Sequence, residues 1–420
     1  MTGSTSIRRP TLPALTGLRA IAALLVVLFH YKHFVPGLAQ SASSAARIVQ
    51  AGYVGVSLFF VLSGFILAYT YLDSNGGMRG SLSDFWFARF ARVYPVYFVA
   101  LLIALPIFID ITFVHPVGVM KLADTLRTAT VTPLLLQGWT PKRAWMWNGP
   151  GWSLSAEAFF YLLFPLFGAA IAKRSAKKIL MIAVVAFGFI IMPPLVYGFS
   201  RAAGVWGVTP STYGPWVAFL KFSPLVHFPQ FVIGIATGVL FLRRGEQDRQ
   251  SKFTSLLAVA SFAVSVAVLA MSHRLPYLML QGGLLAPMFA VVLYTLACGR
   301  GIVASVLSTP PAIRLGEASY ALYLIHMPLT WYLAIGRKAA GMPAPNAWLG
   351  LSVYVTIAMA VSFALYYVVE RPARGKLQYW YRERGTGLPY AVQVKRLAEV
   401  AVRVLTSNPR NAMSIIRADG

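Results

Sequence analysis

Apolar residues dominate this chain in long runs, and polar residues collect in the shorter segments between those runs. A helix needs about 20 consecutive apolar residues to cross the hydrocarbon core of a bilayer. Ten segments approach or exceed that length, at 12–34, 52–72, 93–114, 152–172, 179–199, 217–242, 253–272, 277–298, 315–336 and 348–370. The pattern predicts an all-α, polytopic integral membrane helix bundle of about ten transmembrane helices.

The composition excludes an ordinary soluble domain. Of the 420 residues, 58% are hydrophobic and only 12% are charged, which leaves too little polar surface to face water. The first apolar run is long and ends in HYKHF (30–34) instead of a small-residue cleavage site, so we expect a retained span. The single cysteine, Cys298, offers no disulfide framework and no thiolate metal site, and we expect no metal cofactor.

Lysine and arginine are distributed unevenly between the two alternating sets of loops. With both termini placed in the cytoplasm, 25 of the 37 basic residues fall on the cytoplasmic side and 11 outside, while Arg19 stays within the membrane. Cytoplasmic loops carry the excess of basic residues in membrane proteins, so the bias predicts cytoplasmic N and C termini. The same bias accounts for most of the net charge of +25. We therefore expect these basic residues to contact lipid headgroups and not nucleic acid.

The predicted organisation has three parts: a cytoplasmic N-terminal segment at 1–11, a transmembrane domain at 12–372 and a basic cytoplasmic tail at 373–420. In the tail, apolar and basic side chains fall on opposite faces of a helix. The apolar face comprises Val394, Leu397, Ala398, Ala401 and Leu405. We expect an amphipathic helix that lies on the inner leaflet.

Two ionisable residues lie inside the first apolar run. Arg19 and His30 are eleven residues apart, which places them on nearly the same helical face and about 16 Å apart along the axis. Ionisable groups within a membrane usually face a bundle interior or a water-filled cavity and mark functional sites. An arginine that snorkels to the inner headgroups, with a histidine at the outer interface, is the structural alternative.

The spacing from Arg19 to His30 and five further stretches together resemble the membrane acyltransferase 3 family. The stretches are GYVGVSLFFVLSGFIL (52–67), FWFARFARVYPVY (85–97), WSLSAEAFFYLLFP (152–165), SYALYLIHMPL (319–329) and VVERP (368–372). The resemblance covers about residues 11 to 375. Ser57 departs from it, because many members carry an acidic residue there. The esterase-like C-terminal domain of some members is not seen, so a stand-alone acyltransferase is expected.

The resemblance implies an activity, a donor and a location. It implies transfer of an acyl group, usually acetyl, from cytoplasmic acyl-coenzyme A to a hydroxyl of an extracytoplasmic glycan or glycolipid. Acetyl-coenzyme A is then the donor substrate, and the bacterial cytoplasmic (inner) membrane is the expected location. The acceptor stays open among surface polysaccharides and small-molecule sugars such as a macrolide glycoside.

Basic residues on the cytoplasmic side are candidates for binding the phosphates of the coenzyme. Arg89 and Arg92 are three residues apart and share a helical face at the mouth of the third span. Their positive charge alone favours a role in fixing the orientation of the span in the membrane. The resemblance favours another role, because the family has an Arg-x-x-Arg at this place and arginine can bind phosphate through two hydrogen bonds. Arg19, deeper in the membrane, would lie along the pantetheine arm or hold the architecture of the site.

His30 is the candidate general base, because attack of a hydroxyl on a thioester is helped by a positioned imidazole. Glu157 lies six residues into the fourth span, roughly 9 Å deep. Its carboxylate either orients the imidazole, as in a catalytic triad, or forms a structural hydrogen bond. Direct transfer is simpler than an acyl-enzyme, because the sequence shows no Ser-His-acid arrangement.

Four further residues are candidates for lining a pore: His326, Ser63, Trp152 and Tyr320. For His326 a helix–helix hydrogen bond is favoured over a place in the pore, and for Ser63 close helix packing is favoured over chemistry. A proton-coupled transporter would also carry buried Arg, His and Glu, but many transporters show paired repeats that this chain lacks. A lipid-binding scaffold would need none of these residues.

Overall fold

A computed structural model of the chain describes residues 9–32, 41–73, 76–114, 122–200, 204–244, 252–343 and 346–385. Within these ranges the chain is helical, and its β-structure is limited to one isolated bridge between Leu72 and Met78. The helices are α1 Pro13–Tyr31, α2 Ser44–Gln50, α3 Gly55–Tyr71, α4 Leu82–Ile109, α5 Leu122–Val131, α6 Trp152–Ala172, α7 Ala176–Phe199, α8 Pro215–Phe222, α9 Pro224–Arg243, α10 Lys252–Ala270, α11 Tyr277–Gly282, α12 Ala286–Ala297, α13 Ile302–Leu307, α14 Pro310–Ala339, α15 Ala347–Leu365 and α16 Arg371–Gly385.

The helices agree with the predicted membrane bundle, and the chain is an integral membrane protein. Seven helical segments of the described residues are long and apolar enough to cross a bilayer. They are Pro13–Tyr31, Gly52–Tyr71, Leu82–Val114, Gly149–Ala172, Ala176–Phe199, Pro215–Arg243 and Trp348–Glu383. The other three predicted spans also coincide with helices. Those in α10 and α12 have shorter apolar stretches, and α14 carries charged residues near both ends.

The third predicted span begins earlier than expected. The pattern placed its start at residue 93, but α4 begins at Leu82, where Ser81 caps it by accepting a hydrogen bond from the Asp84 backbone N–H at 3.0 Å. Side-chain oxygens of serine at this position satisfy an otherwise unpaired helical N–H. Arg89 and Arg92 therefore lie two to three turns inside the helix instead of at its mouth.

Close contacts between helices occur at glycines. A Cβ on Gly64 of α3 would lie 2.2 Å from the Phe231 carbonyl oxygen of α9, and one on Gly234 of α9 would lie 2.0 Å from the Val61 carbonyl oxygen. On the other side, a Cβ on Gly316 of α14 would lie 1.8 Å from the Thr16 carbonyl oxygen of α1. In membranes small residues let helix backbones approach in this way, so α3 packs directly against α9 and α1 packs directly against α14.

The segment between α5 and α6 folds back onto the bundle. Gln137 is buried and donates from Nε2 to the Gly151 carbonyl at 2.6 Å, and Asn148 donates from Nδ2 to the Leu324 carbonyl of α14 at 3.1 Å. These bonds fix the start of α6 beside α14.

The described part of the chain ends in α16, which continues from α15 through a π-helical turn at Tyr366–Glu370. The amphipathic helix predicted for the tail lies outside the described residues.

Candidate functional site

Two cavities lie along α1. The arginine cavity, named for Arg19, Arg89 and Arg92 in its lining, has a volume of about 230 Å³. The histidine cavity, named for His30, has a volume of about 740 Å³. Val56 and Tyr323 line both cavities. The two ionisable residues of α1 thus face two adjoining spaces, as expected for groups on one helical face.

The lining of the arginine cavity is positively charged. It contains the three guanidinium groups, contributed by α1 and α4, and one carboxylate, Glu157 of α6. Arg89 donates from Nη2 to the Tyr71 hydroxyl at 3.0 Å, while its Nε atom is buried without a hydrogen-bond partner among the described residues. The lining of the cavity therefore carries an excess of positive charge, and one of its guanidinium groups has a donor without a partner among the described residues.

Glu157 lies in the arginine cavity, not beside His30. Its Oε1 atom accepts a hydrogen bond from Ser63 Oγ at 3.2 Å and a short one from the Tyr161 hydroxyl. Of the two roles predicted for Glu157, the hydrogen bonds favour the structural one over orientation of the imidazole, because the face of α6 that carries Glu157 turns toward α3. Ser63 contacts this carboxylate, whereas the close helix packing predicted for Ser63 is made by its neighbour Gly64.

His326 of α14 contacts His30 instead. Its Nε2 atom lies 3.1 Å from His30 Nδ1, and its Nδ1 atom lies 2.6 Å from the Tyr323 carbonyl oxygen. His326 is completely buried and is absent from the lining of both cavities. The geometry is that of a helix–helix hydrogen bond.

The hydrogen bonds assign the tautomers of the neutral histidine pair. A carbonyl oxygen can only accept, so His326 Nδ1 carries the proton and His326 Nε2 accepts. The single hydrogen on His30 Nδ1 is then shared between two acceptors, His326 Nε2 at 3.1 Å and the Val26 carbonyl oxygen at 2.9 Å. In this arrangement the lone pair of His30 is on Nε2, the nitrogen required for a base.

Two hydroxyl groups lie near the junction of the cavities, that of Tyr323, which lines both, and that of Ser153, which lines the arginine cavity. The Ser153 and Tyr323 oxygens are 2.7 Å apart, and each lies close to the Pro150 carbonyl oxygen, at 3.1 and 3.0 Å. Tyr320, one turn before Tyr323 on α14, lines the arginine cavity and donates to the Val93 carbonyl at 2.8 Å. Trp152 lines the histidine cavity.

Several site residues were missed from the sequence. Tyr161 and Tyr323 each lie one turn from a predicted residue, Glu157 and His326, so helical spacing was the available signal. Glu370 is 4% exposed, and the charges acting on it include Arg92, Arg19 and Arg374. It belongs to the VVERP stretch (368–372), where resemblance to the acyltransferase 3 family was the signal in the sequence and no role for the glutamate was predicted.

Comparison with known proteins gives one family. The family model described as "Acyltransferase domain", of the acyltransferase 3 family, matches residues 12–367. The chain is 30% identical over 379 residues to Acyltransferase MdmB of Streptomyces mycarofaciens, with 86% of the chain and 91% of that relative covered.

Two further relatives are longer than the region they share with the chain. Peptidoglycan O-acetyltransferase OatA of Listeria monocytogenes is 23% identical over 405 residues, which cover 89% of the chain and 57% of the relative. O-acetyltransferase OatA of Staphylococcus aureus is 22% identical over 341 residues, which cover 76% of the chain and 50% of the relative. The chain thus spans about half the length of these two. No solved structure matches the chain significantly.

Proposed function

The chain belongs to the acyltransferase 3 family of integral membrane acyltransferases, and on that premise we propose that it transfers an acetyl group from cytoplasmic acetyl-coenzyme A to a hydroxyl of an extracytoplasmic glycan or glycolipid. The observation that carries the proposal is the pair of cavities along α1. Three arginines line one cavity, His30 lines the other, and both are bounded by Val56 and Tyr323.

The arginine cavity suits the donor. The phosphates of coenzyme A are multiply charged and cannot enter hydrocarbon, whereas guanidinium groups bind phosphate with paired hydrogen bonds. We assign Arg89 and Arg92 to the phosphates, a role that the unpartnered Nε of Arg89 supports. Arg19 lies along the pantetheine arm. Glu157, which Ser63 and Tyr161 hold by hydrogen bonds, balances part of the charge of Arg19 and Arg92.

The thioester reaches His30 through the junction. The arm must span the distance from Arg19 to His30, about 16 Å along the helix. In the histidine cavity the acceptor hydroxyl oxygen attacks the thioester carbonyl carbon while its proton passes to His30 Nε2. The C–S bond then breaks, and the coenzyme thiolate takes the proton from the imidazolium. His326 Nε2 and the Val26 carbonyl oxygen both accept from His30 Nδ1 and so hold His30 in the required tautomer.

The direction of transfer follows from the predicted topology. If the loops richest in lysine and arginine are cytoplasmic, the arginine cavity faces the coenzyme pool and the histidine cavity faces the outside. A surface glycan is the proposed acceptor, and a small-molecule glycoside is the alternative, since the histidine cavity is large enough to enclose one.

The test is loss and restoration of glycan O-acetylation. A strain without this protein should lose O-acetyl groups from a surface glycan, as measured by mass spectrometry. The wild-type protein and the His273→Ala variant should restore them, because His273 lies at the rim of the same cavity and has no assigned role. The His30→Ala variant should transfer acetyl groups about 10²- to 10⁴-fold more slowly than the wild-type protein. Restoration by His30→Ala would overturn the mechanism, and solute flux without acetyl transfer would favour a transporter.

A further inference from the structure

Beyond His30, the histidine cavity has a distinctive chemical character. Its walls are rich in aromatic side chains, including Trp145, Trp152, Trp206, Trp331, Tyr213 and Tyr277. Two lysines line it, Lys32 and Lys221, and its described lining contains no aspartate or glutamate. Aromatic faces stack against sugar rings, and the ammonium groups favour a ligand of opposite charge.

Only one of the two lysines is available to a ligand. Lys221 Nζ donates to three backbone carbonyls, those of Thr209, Pro210 and Thr212, at 3.4, 2.8 and 2.7 Å. These three bonds use all the hydrogens of its ammonium group.

Lys32 is buried without a compensating charge. It is 6% exposed, and among the described residues it makes no hydrogen bond or ion pair. Its Nζ lies 3.8 Å from the centroid of the Phe29 ring. Burial of an unpaired ammonium is costly, and an anion bound in the cavity would remove that cost.

The geometry places Lys32 within reach of a sugar held at His30. The Phe29 ring centroid is 4.9 Å from the His30 ring centroid, so the ammonium cannot be farther from the imidazole than the sum of this separation and the 3.8 Å to Phe29. Gln281 lines the same cavity, and its Oε1 is buried without a hydrogen-bond partner among the described residues. It is suited to accept a bond from a sugar hydroxyl.

We propose that the histidine cavity binds an anionic sugar, with its carboxylate or phosphate on Lys32, its ring against the aromatic walls and a hydroxyl directed to His30. This inference rests on the proposed function and narrows the acceptor to a glycan that carries negative charge beside the acylated hydroxyl. An amino sugar would bring a second cation beside Lys32, with no carboxylate among the described lining residues to pair with it.

The test uses two disaccharides that differ at one carbon. Cellobiouronic acid carries a carboxylate where cellobiose carries a hydroxymethyl group. Binding of each to the full chain in lipid nanodiscs is measured by calorimetry without donor. We expect the wild-type protein to bind the uronic acid about tenfold or more tightly than cellobiose, the value of one charge-assisted hydrogen bond.

Three variants isolate the role of Lys32. Lys32→Gln should abolish the preference and leave cellobiose binding unchanged, which also shows that the variant is folded. Lys32→Arg should keep the preference. Lys142→Gln, at an exposed position in the segment before α6, is the matched control and should behave as wild type.

Two results would overturn the inference: equal affinity of the wild-type protein for both sugars, or an undiminished preference in Lys32→Gln. The latter would leave Lys32 with its contact to Phe29 alone. Failure of the proposed function can be distinguished from failure of this inference, because the binding of the sugar is measured without the acyl donor. If the uronic acid binds through Lys32 but no glycan loses acetyl groups in the deletion strain, the anion site stands and the transferase proposal falls.

Discussion

His326 Nε2 lies 3.1 Å from His30 Nδ1, and this bond joins two helices whose histidines are 296 residues apart in the chain. The backbone of His326 is held as well, because its carbonyl accepts hydrogen bonds from Thr330 Oγ1 at 2.7 Å and from the Tyr354 hydroxyl at 3.0 Å. A rigid acceptor therefore holds the His30 side chain, in the role that one of the two interpretations of Glu157 gave to a carboxylate.

Replacement of His326 tests this positioning role. His326→Phe should lower the rate of acetyl transfer by about 10- to 100-fold, because a hydrogen bond to a group that becomes charged is worth about 1.5–3 kcal/mol. His326→Gln should recover part of the loss, since its carbonyl can accept from His30 Nδ1. The kcat and its pH profile are measured for both variants. A purely structural role would lower the amount of folded protein and leave both quantities unchanged in what remains.

Replacement of Arg89 and Arg92 tests the donor site. Arg89→Ala and Arg92→Ala should raise the KM for acetyl-coenzyme A by about tenfold each, while the KM for the acceptor stays constant, because a charge-assisted hydrogen bond to phosphate is lost. Arg174→Ala, at an exposed position between α6 and α7, serves as the control. If the KM for acetyl-coenzyme A is unchanged in both single variants and in the double variant, the two arginines do not bind the donor and serve only to orient the span in the membrane.

Val56 tests the passage between the cavities, because it lines both. Val56→Phe should obstruct the junction, so that acetyl transfer falls by about 100-fold while coenzyme A still binds at the arginines. Val184→Phe adds the same volume at a position on α7 that is 63% exposed, and it should be neutral. Full transfer activity in Val56→Phe would show that the thioester does not pass this point.

Labelling of introduced cysteines tests the topology. In a Cys298→Ser background, a membrane-impermeant thiol reagent applied to intact cells should label Ser44→Cys and spare Lys177→Cys. Both positions are exposed, and neither is a helix cap, unlike Ser43 and Ser175, whose hydroxyls accept bonds from backbone N–H groups of α2 and α7. The reverse labelling pattern would place His30 on the coenzyme side and exclude transfer across the membrane.

Gly234 tests the packing of the bundle. Gly234→Ala should destabilise the protein by about 1–3 kcal/mol, because its Cβ would lie 2.0 Å from the Val61 carbonyl oxygen and force α3 and α9 apart. Gly336→Ala is the matched control, since a Cβ there meets nothing within 4 Å. Thermal unfolding in detergent measures both. Equal melting temperatures for the two variants would contradict the close approach of these helices.

The sequence by itself determined the helices and the residues that share a face on each. Long apolar runs specified the spans, because a bilayer demands helices of a fixed minimum length. Helical periodicity placed Arg19 and His30 on one side of α1, and Arg89 beside Arg92 on α4. The predicted start of α4 was wrong, because Ser83, Asp84, Arg89 and Arg92 interrupt the apolar pattern of its first turns, although these turns are helical and capped by Ser81.

Only the tertiary structure decided which faces meet. In the folded bundle Glu157 is hydrogen-bonded to Ser63 and Tyr161, and His30 is hydrogen-bonded to His326. The physical reason is that lipid is as apolar as a helix surface, so hydrophobic patterning does not select partners within a membrane. Selection falls to close packing at small residues such as Gly64 and Gly234, which requires the surfaces of two helices at once. A single helix read along its sequence shows which side chains project together, but not what they will contact.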